Sequence, residues 1–275
     1  MHSTASDGVY SPEEVVQIAL ANQVDVIALT DHDTIGGVAA ALRAAEGKPI
    51  EIIPGIEISS KDQHEDRDML VYLYDLNSKP LLDALAAVRD DRIHRAEKML
   101  NRLAELGMPI PLEDVMKQAT KGTIARPHIA QAMMLHGYAS SYQEAFDKYL
   151  NDDGPAYIPH LRIEPTEAIR LAHDAGGVVV LAHPGRYGDY HPIIDELAPL
   201  GLDGIEVYYP DHTPEMIADL RQIAKRYDLL QTVGSDFHRR DGHGSASIGS
   251  VRTPTELDVV GTLKARAARY RPPTA

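Results

Sequence analysis

The sequence predicts an α/β fold built on a parallel sheet, and three observations predict it. Six short, β-branched apolar runs alternate with segments of helical spacing. Imidazole and carboxylate side chains stand at the ends of most of these runs. One stretch, 81–155, reads as helix throughout, with no strand signal inside it.

The first run, Val24 to Thr30, is short, rich in branched residues and followed by a polar turn, as a buried parallel strand should be. Ile50 to Ile53 reads the same way and is expected to end at Pro54 and Gly55. Met69 to Tyr74 is the third run and Val178 to Ala182 the fourth, announced by Gly176-Gly177. Gly204 to Tyr208 and Leu229 to Val233 complete the six. Ser11-Pro12-Glu13-Glu14 has the form of a helix start, with serine as cap and proline in the first turn. Thr166 to Ala175 and Pro214 to Tyr227 carry helical spacing. The expected division is a barrel from 1–80 and 156–275, with 81–155 as a helical insertion.

Composition narrows the function. The 275 residues suffice for a full core. The absence of cysteine excludes disulfides, thiolate zinc sites and cysteine nucleophiles. No run approaches the roughly 18 apolar residues of a membrane helix, and the opening MHSTASDG is not a signal peptide, so the expected location is cytoplasmic, with no membrane partner. A formal charge of −14 argues against broad capture of nucleic acid, double-stranded DNA included.

The 13 histidines matter by placement. Asp31-His32-Asp33 follows the first run, Gly55-Ile56-Glu57 the second, His183-Pro184-Gly185-Arg186 the fourth and Ser235-Asp236-Phe237-His238 the sixth. Asp68 stands at the start of the third, and the chain opens with His2 and Asp7. In a parallel α/β barrel such residues meet at one mouth, and imidazoles with carboxylates there are ligands for zinc, manganese or iron. A single histidine after a strand is ordinarily a hydrogen-bonded loop residue, and Asp31 and Asp33 also suit plain turn chemistry. The recurrence after most strands, together with Glu57 in the apolar frame PGIEIS, carries the metal reading.

The motifs HSTASDG (2–8), TDHDT (30–34), PGIEIS (54–59), ARPHIA (125–130), LAHPGRY (181–187), GIEVYYP (204–210) and GSDFH (234–238) together resemble the PHP (polymerase and histidinol phosphatase) family of amidohydrolase-like metal hydrolases. Within it the chain looks like the bacterial phosphoesterases of 3′,5′-bisphosphonucleotides, some of which trim RNA from its 5′ end. The resemblance covers essentially the whole chain. It implies a distorted (β/α)7 barrel with a helical insertion and up to three divalent ions (Mn²⁺, Zn²⁺ or Fe²⁺). One ion would take His2, Glu57 and Asp236. A second would share Glu57 and add His128 and Asp68, and a third would take Asp7, His32 and His238. Glu57 is thereby cast as a catalytic bridge between two ions that activate water. Relatives commonly have His where this chain has Asp68, and a carboxylate there favours a harder ion such as Mn²⁺. His64 is the weaker substitute.

The resemblance also implies that Arg126 and Arg186 bind substrate phosphate, as arginine forks do. His183 reads as a phosphate contact or a proton donor to the leaving group. His160 and Arg162 are weaker candidates, and Tyr208 and Tyr209 suit either base stacking or core packing. The implied substrate is a small nucleotide such as adenosine 3′,5′-bisphosphate, cleaved to AMP and phosphate. Short RNA, reached through a basic groove near Arg126, Arg186 and Arg239-Arg240, is the alternative. A histidinol phosphatase ranks lower, and a non-catalytic metal-binding module is the rival from another class. The family opening is an apolar strand ending in His-x-His before Ser-x-x-Ser-Asp-Gly. Here Met1 stands at its middle position and His2 is its second histidine. The expectation is therefore that the first barrel strand and its histidine are missing, leaving the first ion one imidazole short.

Overall fold

A computed structural model describes residues 1–61, 66–119, 124–159, 161–239 and 246–271. His64, His160 and Arg240 lie outside the described residues. The chain divides into two compact units, Met1–Ala84 with Ile163–Ala275, and Leu85–Arg162.

The first unit is built on a curled six-stranded sheet. Its strands are β1 (Val26–Leu29), β2 (Glu51–Lys61), β3 (Asp66–Tyr72), β4 (Val178–Leu181), β5 (Gly204–Tyr208) and β6 (Leu230–Val233), paired in chain order. All six expected runs form strands. The sheet is not wholly parallel, however. β1–β2, β4–β5 and β5–β6 are parallel, while β3 runs antiparallel to both neighbours. Only four residues lie between β2 and β3 in sequence, too few for the crossover a parallel pair needs, and the two strands pair antiparallel. The reversal explains Asp68. It is the third residue of β3, lies opposite Ser59 near the far end of β2, and its carbonyl accepts the Ala182 N–H just past β4.

Pro54 and Gly55 do not end β2. The strand changes partners there, pairing with β1 through Pro54 and with β3 from Gly55 onward. A Cβ at Gly55 would sit 2.8 Å from the Leu29 carbonyl, so glycine permits the close approach of the two backbones. Glu57 is consequently a mid-strand residue, held opposite Leu70. Past β1, the backbone continues alongside it through Glu57 N–H to Asp31 O and Asp33 N–H to Glu57 O.

Six α-helices of the described residues lie wholly in this unit: α1 (Pro12–Ala21), α2 (Val38–Ala45), and, after the second unit, Pro165–Asp174, the shorter His191–Leu197, Pro214–Arg226 and Val259–Ala267. The expected start of α1 forms a full capping box, Ser11 Oγ accepting from Glu14 N–H and Glu14 Oε2 from Ser11 N–H at 2.7 Å. β4 is buried along its whole length, as a strand covered on both faces must be. A cavity of about 160 Å³ is lined by Val26 and Ala28 of β1, Val233 of β6, and Glu57 and Glu206.

The second unit is helical. The long helix α3 (Lys79–Glu105) leads into it and is followed by α4 (Leu112–Gln118), α5 (Arg126–Leu135), α6 (Tyr142–Ala145) and a π turn at Phe146–Leu150. Met99, Leu103, Val115, Ile129, Met133 and Leu150 form its apolar core. No helix of the described residues is long and apolar enough to cross a membrane.

Candidate metal centre

The site is assembled from the mouth of the sheet. Asp31, directly after β1, is buried and acts as an anchor. It accepts Ser3 N–H at 2.6 Å, Ser3 Oγ–H at 2.8 Å and Ser6 Oγ–H at 2.7 Å, which pins the 3–8 turn between His2 and Asp7. Gly8 closes that turn, since a Cβ there would meet the His2 carbonyl at 2.4 Å. Asp33 accepts Ser59 N–H at 2.8 Å and ties the same loop to β2. Both aspartates therefore do structural work, the turn-chemistry alternative of the sequence.

Three sets of side chains converge among the described residues. They are His2, Asp7, His32 and His238; His2, Glu57 and Asp236; and His32, Glu57 and Asp68, each offering ligand atoms within 4.8 Å of one another. His2 is wholly buried. Its Nε2 lies 3.0 Å from Glu57 Oε2 and 3.1 Å from Asp236 Oδ1, and its Nδ1 lies 3.4 Å from Asp7 Oδ1. Yet neither ring nitrogen has a hydrogen-bond partner. Close approach without hydrogen-bond alignment is what donor atoms show when they face a common point. A buried imidazole among three carboxylates fits a divalent cation. The His2 and His238 rings stack at 4.1 Å, and His32 lies tilted 4.6 Å from His2. His32 Nδ1 contacts Ser59 Oγ at 3.2 Å, which orients its other nitrogen toward Asp7.

Charge follows the geometry. Burial would lower His2, but the carboxylates of Asp236, Asp7 and Glu57 raise it well above the usual imidazole range. Burial would raise Asp7, Asp236 and Glu57; the surrounding imidazoles, His2 above all for the two aspartates and His32 for Glu57, hold all three well below the carboxylate range. Protons on the imidazoles balance the acids in the cation-free cluster, and a metal would displace them.

His183 is also brought in. Its Nε2 lies 3.1 Å from Glu57 Oε1 and 3.7 Å from Asp68 Oδ2. Its backbone is in the left-handed region at φ 26°, unusual for a branched-ring residue. Two residues hold it there that the sequence reading did not single out. Glu206 of β5 accepts the His183 N–H at 2.9 Å, and His212 Nε2 accepts the Gly185 N–H at 3.1 Å while its Nδ1–H donates to Val207 O. Glu206 is buried, and burial pushes its carboxyl up to about 7 against the pull of His183. A buried acid at mid-strand in GIEVYYP was the available signal, by the argument already applied to Glu57.

Arg186 reaches Asp236 at 3.3 Å and the Tyr209 hydroxyl at 3.4 Å, and Tyr209 donates to Asp236 at 3.1 Å. Tyr208 and Tyr209 are buried, so neither presents an open face to a base. Arg186, Arg239, Asp7, His32, Glu57, Asp68, His183, Asp236 and His238 line one open mouth of about 520 Å³. His128 and Arg126 belong to the helical unit. There Ala125 N–H donates to His128 Nδ1 at 3.0 Å, which in the neutral ring leaves the proton on Nε2.

This geometry has relatives. The model of the PHP domain matches residues 1–152. The chain belongs to the PHP domain family. A 5′-3′ exoribonuclease Rnm of Escherichia coli is 32% identical over 244 residues, covering 86% of this chain and 83% of that one. A 3′,5′-nucleoside bisphosphate phosphatase of Chromobacterium violaceum is 33% identical over 258 residues, covering 90% and 88%. A crystal structure from Bifidobacterium adolescentis, described as a metal-dependent phosphoesterase, superposes with a TM-score of 0.79 at 32% identity, covering 96% of this chain and 94% of that one. The PHP chain is a metal-dependent phosphoesterase.

Proposed function

We propose that this PHP phosphoesterase removes a phosphate from a small nucleotide such as adenosine 3′,5′-bisphosphate, yielding AMP and phosphate. The observation that carries the reading is Glu57, a carboxylate 3% exposed that stands in two of the three ligand sets. A carboxylate so placed can hold two cations close together. The bisphosphate phosphatase relative, aligned over 90% of the chain, supports the substrate class.

His2, Glu57 and Asp236 would hold one ion, Asp7, His32 and His238 another, and Asp68 with Glu57 a third. Divalent ions in such a site supply Lewis acidity and an activated water. The protein's own groups do the rest. Arg186, fixed by Tyr209 and Asp236, neutralises phosphate oxygens at the mouth. His183, held beside Glu57, donates a proton to the departing alkoxide oxygen. The helical unit is read as an insertion within the barrel chain.

A second reading, 5′-3′ exoribonuclease on short RNA, is favoured by the Rnm relative. The experiment is to incubate manganese-loaded protein with adenosine 3′,5′-bisphosphate and with 5′-phosphorylated RNA of four to ten nucleotides. Inorganic phosphate from the bisphosphate supports the first reading. Stepwise release of 5′-mononucleotides with an inert bisphosphate supports the second. Bound metal without turnover of either would leave a non-catalytic module.

A further inference from the structure

His183 works from a backbone conformation that most residues avoid. Shortly after β4, its φ is 26° and its ψ 56°, in the left-handed region. The turn 183–186 has three backbone N–H groups to satisfy, because Pro184 has none. Arg186 N–H donates within the turn, to the His183 carbonyl at 2.9 Å. His183 N–H donates to Glu206 at 2.9 Å, and Gly185 N–H donates to His212 Nε2 at 3.1 Å. The conformation therefore rests on two side-chain acceptors from outside the turn. Of these, His212 stands in none of the three ligand sets of the described residues.

His212 is itself firmly held. Its own N–H closes a turn onto the Tyr209 carbonyl at 3.1 Å, and the next residue, Thr213, caps the helix Pro214–Arg226 by accepting Met216 N–H. The imidazole is buried, with Nδ1 3.0 Å from the Val207 carbonyl. A carbonyl only accepts, so the proton sits on Nδ1 and Nε2 keeps the lone pair that Gly185 N–H needs. Burial holds the imidazole below its usual range, against the pull of the Val207 carbonyl, and so preserves this neutral form. Gly185 makes room for the ring, since a Cβ there would lie 2.7 Å from His212 Cδ2 and 2.9 Å from Nε2. The Tyr209 ring lies between the two histidines, 5.3 Å from His212 and 5.6 Å from His183. His212 thus meets the turn through its backbone and through the ring that packs on His183.

We infer that His212 is a positioning residue for protonation of the leaving group: by accepting the Gly185 N–H, it holds the turn that keeps His183 Nε2 beside Glu57, within reach of a departing alkoxide. The inference rests on the proton-donor reading of His183. Without this acceptor the Gly185 N–H loses its partner, and the turn is free to relax to a commoner backbone basin. His183 Nε2, 3.1 Å from Glu57 Oε1, would then leave its place. The step at stake is one proton transfer. As a water oxygen bonds to phosphorus, the ester P–O bond breaks, and the electron pair left on the departing oxygen takes the His183 proton. A nucleoside alkoxide needs that proton, whereas a dinitrophenolate departs without it.

The test uses the full chain loaded with manganese, on dinitrophenyl phosphate and on whichever nucleotide ester it cleaves, adenosine 3′,5′-bisphosphate or 5′-phosphorylated RNA. His212→Asn keeps a donor for Val207 but has no group at the Nε2 position. It should lower kcat on the nucleotide ester about tenfold to a hundredfold, far more than on the dinitrophenyl ester, and leave KM and manganese content near wild type. His212→Gln brings an amide oxygen to the Nε2 position and should recover most of the loss. His183→Ala should show the same dependence on leaving group, and adding His212→Asn to it should cost little more, since the second residue acts through the first. An equal loss on both esters, no loss on the nucleotide, a Gln variant no better than Asn, or an additive double variant each overturns the inference. Should His212→Asn not fold, Gly185→Ala displaces the same ring, and a loss that ignores the leaving group there is equally fatal. If His183→Ala itself ignores the leaving group, the donor reading falls and takes the inference with it. Dependence in His183→Ala without dependence in His212→Asn sinks the inference alone.

Discussion

The two units use polar residues in opposite ways. The sheet unit buries a connected group of acids and imidazoles, His2, Asp31, Asp33, Glu57, His183 and Glu206, and carries all of the net negative charge. The helical unit has an ordinary apolar core of leucine, isoleucine, valine and methionine, and no ligand set among its described residues. Its conspicuous buried polar group is a cation, Arg95. The difference separates two requirements of phosphate-ester hydrolysis. Holding cations requires acids fixed on rigid strands, and holding a phosphate requires arginines.

The sharpest way to break this division is at Glu57. Glu57→Gln removes one charge from two ligand sets and should lower kcat by at least about a hundredfold, with circular dichroism unchanged. Near-wild-type kcat at saturating metal would remove Glu57 from the centre. The opposite effect is expected in the helical core. Met133→Ala, at a fully buried position, should cost roughly 2–5 kcal/mol in denaturant unfolding and leave the metal content of the folded protein unchanged. Metal loss in folded Met133→Ala would mean that the two units are not separable in this way.

Much of this contrast can be read in the sequence because the chemistry is local. His32, Asp236 and His238 each follow a run whose length and branching mark it as a buried strand. Six strands, the capped α1 and the helical stretch were all visible in the same way. What was not legible depends on distant pairing. The direction of β3 is set by a short link whose consequence, Asp68 facing the mouth from the start of its strand, appears only once three strands are paired. The continuation of β2 through Pro54 and Gly55 depends on a change of partner that local turn signals mimic. His212 carried no signal at all, since its work is to accept one backbone N–H from a turn 27 residues earlier in the chain.

Smaller effects sharpen the comparison within the sheet unit. Glu206→Ala strips the His183 N–H of its buried acceptor, a loss of about 1–3 kcal/mol, and should lower kcat about tenfold with metal content retained. Loss of metal equal to the loss of kcat would make Glu206 part of the cation site instead. Gly234→Ala should destabilise by about 1–3 kcal/mol, because its Cβ would overlap Glu206 Oε1 at 1.8 Å; a melting temperature equal to wild type would contradict that packing. The smallest change is expected from Asp68→His, which exchanges a hard oxygen for an imidazole and should move the preference from Mn²⁺ toward Zn²⁺ by about tenfold in relative affinity. An unchanged preference would place Asp68 outside the ligand set.

The most direct measurement is the number of manganese ions bound per chain by wild type and by Glu57→Gln, determined side by side at equilibrium. If Glu57 joins two ligand sets, this single substitution should lower the stoichiometry by more than one ion, while Arg186→Ala leaves it unchanged. A loss of one ion or none from Glu57→Gln would contradict the shared carboxylate on which the account of the site depends.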